Sequence, residues 1–207
     1  MRLMDMGLGQ LNTMLTEMAG LSQAAVSASI EAYVKGGRGT EVKQMSDRLQ
    51  ELHRQVSDLS VEMIARYQPV ATDLRFLKAC LEISYGFFRY GRYARDITEV
   101  LDMFGDLGQC DHSSVEATAQ KTQEMIKMSV EAFSRRDVEL ARKIPTMDDA
   151  VDDSYRSNLM KTLGAKSNIR CALSATLILR YLERIADHAT YIGETVEYIA
   201  TGVDPPG

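Results

Sequence analysis

The sequence predicts an all-α fold of two tandem three-helix bundles. Three observations carry that prediction. Apolar residues recur at helical spacing along the chain, no useful run alternates with period two, and the second half repeats the first.

The clearest helix is the second. Val42, Met45, Leu49, Leu52, Val56, Leu59 and Met63 advance by alternating steps of three and four, the spacing of an a/d seam. Leu11, Leu15, Met18, Ala25 and Ala32 make a similar stripe before it, and Leu77, Leu81, Phe87, Gly91, Ala94, Ile97 and Leu101 make one after it. Helices are therefore expected over 8–36, 40–66 and 72–104. The breaks fall at Gly36-Gly37-Arg38-Gly39, at Pro69 and at Gly105 to Gly108, with further breakers at Pro145 and Pro205-Pro206.

The second half follows from internal similarity. Ser29-Ile30-Glu31-Ala32-Tyr33 returns as Ser129-Val130-Glu131-Ala132-Phe133. At a shorter offset Leu74-Arg75 aligns with Ile169-Arg170, Phe87 with Leu182, Gly91 with Ala186 and Ala94 with Ala189. This places helices near 113–134, 137–163 and 167–201, with Pro145 marking an irregularity inside the fifth. The repeats divide as 1–106 and 107–207, and the stripe Gly91, Ala94, Ala186, Ala189 and Gly193 reads as close helix packing.

Composition narrows the function. The net charge is −5, with 45% hydrophobic and 26% charged residues, which fits a soluble globular chain. Nucleic-acid binding would need a basic face, and none is apparent. The apolar run Cys171 to Leu179 is far short of the ~20 residues that span a bilayer. Asp5 and Gln10 stand where a secretory signal would be apolar, so the chain is expected to be cytoplasmic. Cys80, Cys110 and Cys171 are odd in number and widely spaced, which suggests neither a disulfide framework nor a cysteine zinc site.

Carboxylates supply the candidate chemistry. Asp148, Asp149, Asp152 and Asp153 crowd one segment, and Asp148 and Asp152 share a helix face. Glu183 and Asp187 repeat the i, i+4 spacing on the last helix, with Glu194 on the same stripe. Such pairs on neighbouring helices suit an oxygen-rich metal site, and equally a solvated acidic face partnered by Arg180 and Arg184. His188 diverges from Asp187 by about 100° and is expected to be structural or solvent-facing. The Glu-x-x-His spacing of di-iron bundles is missing, because Ala186 follows three residues after Glu183. No positioned nucleophile or base can be read, so no enzymatic turnover is expected. Tyr90 and Tyr93 among Arg89, Arg92 and Arg95 read as a solvated face with an Arg92–Asp96 pair.

Two strings carry a family resemblance. Gln68-Pro69-Val70-Ala71-Thr72-Asp73-Leu74-Arg75 and Leu182-Glu183-Arg184-Ile185-Ala186-Asp187-His188-Ala189, within a tandem repeat, resemble the PhoU family of phosphate-uptake regulators. The resemblance implies acidic E(D)xxxD motifs that hold a transition-metal ion or small cluster, here Fe, Zn, Mn, Ni or Mg. Those motifs fall on Asp148 with Asp152 and on Glu183 with Asp187, with Glu194 as a further ligand. In the first repeat the corresponding positions are Ser46, Gln50, Phe88 and Arg92, so metal is expected in the second repeat alone, with Arg92 filling the first groove. The resemblance also implies contacts with the ATP-binding subunit of a phosphate ABC transporter and with a sensor histidine kinase. It further implies a homodimer that is peripheral to the membrane only through its partners. A carboxylate-bridged metalloenzyme and a metal-free helical scaffold are the alternatives.

Overall fold

In the computed structural model the described residues are 3–37, 39–164 and 168–203, and all regular structure among them is helical. Arg38 and Pro205-Pro206, named above as breaks, lie outside them, as does residue 167, the expected start of the last helix. The helices are α1 (Leu3–Lys35), α2 (Thr40–Tyr67), α3 (Ala71–Phe104), α4 (Ser113–Arg135), α5 (Val138–Ala141), α6 (Pro145–Gly164) and α7 (Ile169–Thr201).

Local chemistry explains several of the ends. α2 and α4 stop where Gln68 and Arg136 turn into the left-handed region, at φ 46° and 53°, each returning its N–H to the last turn. Asn168 caps α7 by accepting the N–H of Arg170, and Asp137 caps α5 by accepting that of Leu140. The expected fifth helix is two helices. The chain kinks through Arg142 to Ile144, and Pro145 opens α6 at a position where its missing N–H costs nothing.

α1, α2 and α3 pack on one another, and α4, α5 and α6 each pack against α7. The two groups meet mainly along α3 and α7, which run antiparallel: Lys78 lies over the Tyr198 ring, Tyr191 donates to Glu82, Tyr85 faces His188, and Tyr93 stacks on Tyr181. Glycines permit this closeness. A Cβ on Gly86 would stand 2.8 Å from Ile192 Cδ1 of α7, while one on Gly91 would stand 2.3 Å from Leu49 Cδ1 and so opens the approach of α2 to α3 instead.

The internal alignment recurs in the packing. Ser29 and Ser129 are both fully buried, and each donates its hydroxyl at 2.8 Å to a carbonyl one turn back, Val26 O and Ile126 O. Phe87 and Leu182 are fully buried at matching positions, as are Ala94 and Ala189. One continuous apolar core runs through both groups, each large side chain in it contributing about 1.5–3 kcal/mol by leaving water.

Two sequence expectations need correction. Tyr90 and Tyr93 do not line a solvated face. Tyr90 is fully buried and donates its hydroxyl to Ser129 Oγ at 3.2 Å, the Ser129 proton being committed to Ile126 O, and Tyr93 lies buried under the Arg89 guanidinium. Those residues face α4 and α7, partners that helical spacing within one segment does not reveal. The expected Arg92–Asp96 pair does form, at 3.1 Å. The second correction concerns the cysteines: Cys110 and Cys171 are joined by a disulfide. Their 61-residue separation hides the contact, which arises because antiparallel α3 and α7 bring the linker after α3 to the first turn of α7.

Candidate metal centre

The α6–α7 pair builds an acidic centre. Asp148 and Asp152, one turn apart on α6, and Asp187 on α7 each offer a carboxylate oxygen, and these oxygens all lie within 4.8 Å of one another. Val151 anchors α6 between them and is fully buried. Ile185 and Ala186 anchor α7 beside Asp187 in the same way. The carboxylates are held together by apolar packing that wins over their repulsion.

Glu183, one turn before Asp187, is 8% exposed. Arg180 donates to its Oε1, while Oε2 is buried without a hydrogen-bond partner, the Arg184 Nε standing 3.8 Å away. Asp148 Oδ1 is also buried and unpartnered. A buried carboxylate oxygen left unpaired is costly. The cost appears in the acidities: the Asp148 carboxyl is pushed up to about 6, first by burial and then by the charges of Asp187, Asp152, Glu183 and Asp149. Burial and Asp187 raise Glu183, and burial raises Asp187 against the opposing pull of Arg184. Guanidinium partners rim the centre without covering it: Arg156 donates to Asp152 Oδ2 at 2.9 Å and Arg184 to Asp187 Oδ2 at 3.2 Å.

Glu194 stands apart. Its carboxyl is raised by burial and by Glu197, and it does not belong to the close oxygen group among the described residues. His188 is half-buried against Tyr85 and Tyr93, and burial lowers it to about 4. It packs on those rings and is not part of the close acidic group among the described residues.

In the first repeat, Ser46 is buried and Gln50 exposed. Arg92 does not fill the groove; it lies along its own helix to Asp96. The groove is an open cavity lined by Gln50, His53 and Phe88, the His53 ring stacking on Phe88 with centroids 5.6 Å apart. Ser84 Oγ donates to Leu81 O, so His53 Nδ1–H donates to Ser84 Oγ at 2.9 Å. Burial lowers His53, keeping it neutral. Sequence reasoning missed His53; its place on the stripe of Ser46 and Gln50, three residues after Gln50, was the available signal.

The donor set of the second repeat is all oxygen and anionic, with two buried oxygens unpartnered. That fits a hard or borderline divalent cation.

The chain matches the PhoU domain family twice, over residues 15–101 and 115–196. It is 31% identical over 169 residues to a phosphate-specific transport system accessory protein PhoU homolog of Synechocystis, covering 78% of this chain and 74% of that protein. To the homolog of the same description from Pseudomonas aeruginosa it is 28% identical, covering 92% and 82%. The crystal structure of PhoU from Pseudomonas aeruginosa superposes with a TM-score of 0.88 at 26% identity, over 96% of this chain and 99% of that one. That of the phosphate transport system regulatory protein PhoU from Streptococcus pneumoniae gives 0.78 at 19% identity, over 99% and 100%, and speaks to the fold alone.

Proposed function

Because the chain belongs to the PhoU family, we propose that it is a regulatory accessory protein of phosphate-specific transport that acts through protein contacts and holds a metal ion on its second repeat. The observation that carries the regulatory reading is the double domain match together with relatives that align over most of their own length. The partners in this reading are the ATP-binding subunit of a phosphate ABC transporter and a sensor histidine kinase. The protein would meet them in the cytoplasm as a homodimer. Among the described residues no helix is long and apolar enough to cross a membrane, in keeping with attachment through partners.

The ion would be held by Asp148, Asp152 and Asp187, with Glu183 within the same electrostatic group. When bound, it would supply positive charge that relieves carboxylate repulsion. The residues themselves set the geometry: Asp148 and Asp152 present one turn of α6, Asp187 meets them from α7, and Arg156 and Arg184 limit the excess negative charge. Glu194, two turns beyond Asp187 on α7, lies outside this ligand set.

Deletion of the gene, with complementation by wild type or Asp187→Asn and a phosphate-starvation promoter as readout, tests the proposal. Derepression at high phosphate that wild type reverses is expected. An unchanged promoter, with no co-purification of a phosphate transporter ATPase, would refute it.

A further inference from the structure

The Cys110–Cys171 disulfide sits in an asymmetric environment. Cys171 is the third residue of α7, just after the Asn168 cap, at the N-terminal turn of a 33-residue helix. Free N–H groups and the helix dipole there favour a thiolate. Arg170 adds a cation at the same turn, its guanidinium donating to the carbonyl of Phe104 at the end of α3. Cys110 lies instead in the linker between the repeats, its N–H donating to Leu107 O at 2.9 Å. Its sequence neighbour Asp111 accepts from Ser113 and is held below the usual carboxylate range by that interaction, so it stays anionic and disfavours a thiolate next to it. Both sulfur-bearing residues are half-buried, within reach of a small reagent. Cys80, the remaining cysteine, is 1% exposed, and burial pushes its thiol up to about 12, which removes it from exchange.

We propose that Cys110 and Cys171 form a reversible, hydroperoxide-responsive thiol pair in which Cys171 reacts and Cys110 resolves. The Cys171 thiolate attacks one peroxide oxygen. The O–O bond breaks, sulfur is oxidised to the sulfenic acid, and the released hydroxide takes a proton from solvent to leave as water. The Cys110 sulfur then attacks the Cys171 sulfur; the S–O bond breaks, and the departing hydroxyl leaves with the Cys110 proton as a second water. Two thiols and one hydrogen peroxide thus give one disulfide and two waters. A dithiol reductant reverses the change through two exchange steps and is itself oxidised to a disulfide. Oxidation fastens the inter-repeat linker to α7, the helix that carries Glu183 and Asp187; reduction releases it.

The test uses the full chain, reduced with dithiothreitol under native conditions, desalted and treated with one equivalent of hydrogen peroxide. Denatured thiol titration should fall from all three cysteines to Cys80 alone, and peptide mapping should show Cys110 joined to Cys171. In Cys110→Ser, dimedone should trap a sulfenic acid on Cys171. In Cys171→Ser, peroxide should consume thiol at least about tenfold more slowly. Resistance of the folded protein to dithiothreitol, a sulfenic acid on Cys110, or an unchanged rate in Cys171→Ser would overturn the proposal. Circular dichroism checks that both variants fold. If either does not, the alkylation rates of the two cysteines in reduced wild type at pH 7 decide: Cys171 faster than Cys110 supports the proposal, and the reverse overturns it.

Discussion

Replacing Asp148 by Asn should stabilise the metal-free protein while removing its response to metal. Asp148 is the carboxylate most strongly perturbed toward the neutral form at the centre, pushed up to about 6 from an ordinary 3.8. That rise corresponds to about 3 kcal/mol against the folded state when the group is ionised. The site is half open to solvent, and screening reduces the figure to about 1–2 kcal/mol. The sign follows from linkage: a carboxyl with a raised folded pKa destabilises the fold fully above about 6, and the penalty fades as pH falls toward 4. Asn keeps the shape, and its amide can donate to Asp152 or Asp187. In chelator-treated protein at pH 7.5 the variant should therefore melt about 2–8 °C higher than wild type. The gain should shrink through pH 6 and vanish near pH 4. With a divalent ion added the order should reverse, because wild type gains stability by mass action and the variant does not. A variant that melts lower than wild type at pH 7.5, or by the same margin at every pH, would refute the reasoning.

Other perturbations probe the packing. Reduction of the Cys110–Cys171 bridge opens a loop of about 60 residues and should lower stability by about 4 kcal/mol, read as a shift in denaturant midpoint with dithiothreitol. Leu182→Ala on α7, at a fully buried position, should lower stability by about 2–5 kcal/mol in the same assay. Tyr90→Phe removes the hydroxyl donated to Ser129 but leaves Ser129 bonded to Ile126 O, so its loss should be at most about 1 kcal/mol by thermal melt.

Helical periodicity made most of the fold readable, because apolar spacing on α2 and α3 is the same property that buries Leu49, Leu52, Phe87 and Ala94. The repeat made the second half readable through Ser129 and Ala189. What escaped the sequence depends on contacts between distant segments. Tyr90 is core only because α4 lies over it, and Cys110 meets Cys171 only because α3 and α7 are antiparallel. At the acidic centre, i, i+4 spacing correctly paired Asp148 with Asp152, but Asp187 and Glu194 share one stripe two turns apart, so which of them meets α6 was a matter of how far α7 slides along its axis. The turn that buries Ile185 and Ala186 sends Asp187 to α6. Likewise Arg92 had a nearer partner in Asp96, and the groove it left is lined by His53 stacked on Phe88.

Calorimetric titration of chelator-treated protein with manganese, and in parallel with iron(II), zinc, nickel and magnesium, measures the asymmetric acidic centre directly. Saturable binding of at least one of these ions on the second repeat is expected, abolished by Asp152→Asn and by Asp187→Asn and unchanged by Gln50→Ala. Binding that survives both aspartate substitutions, that falls equally with Gln50→Ala, or that no ion displays would contradict that expectation.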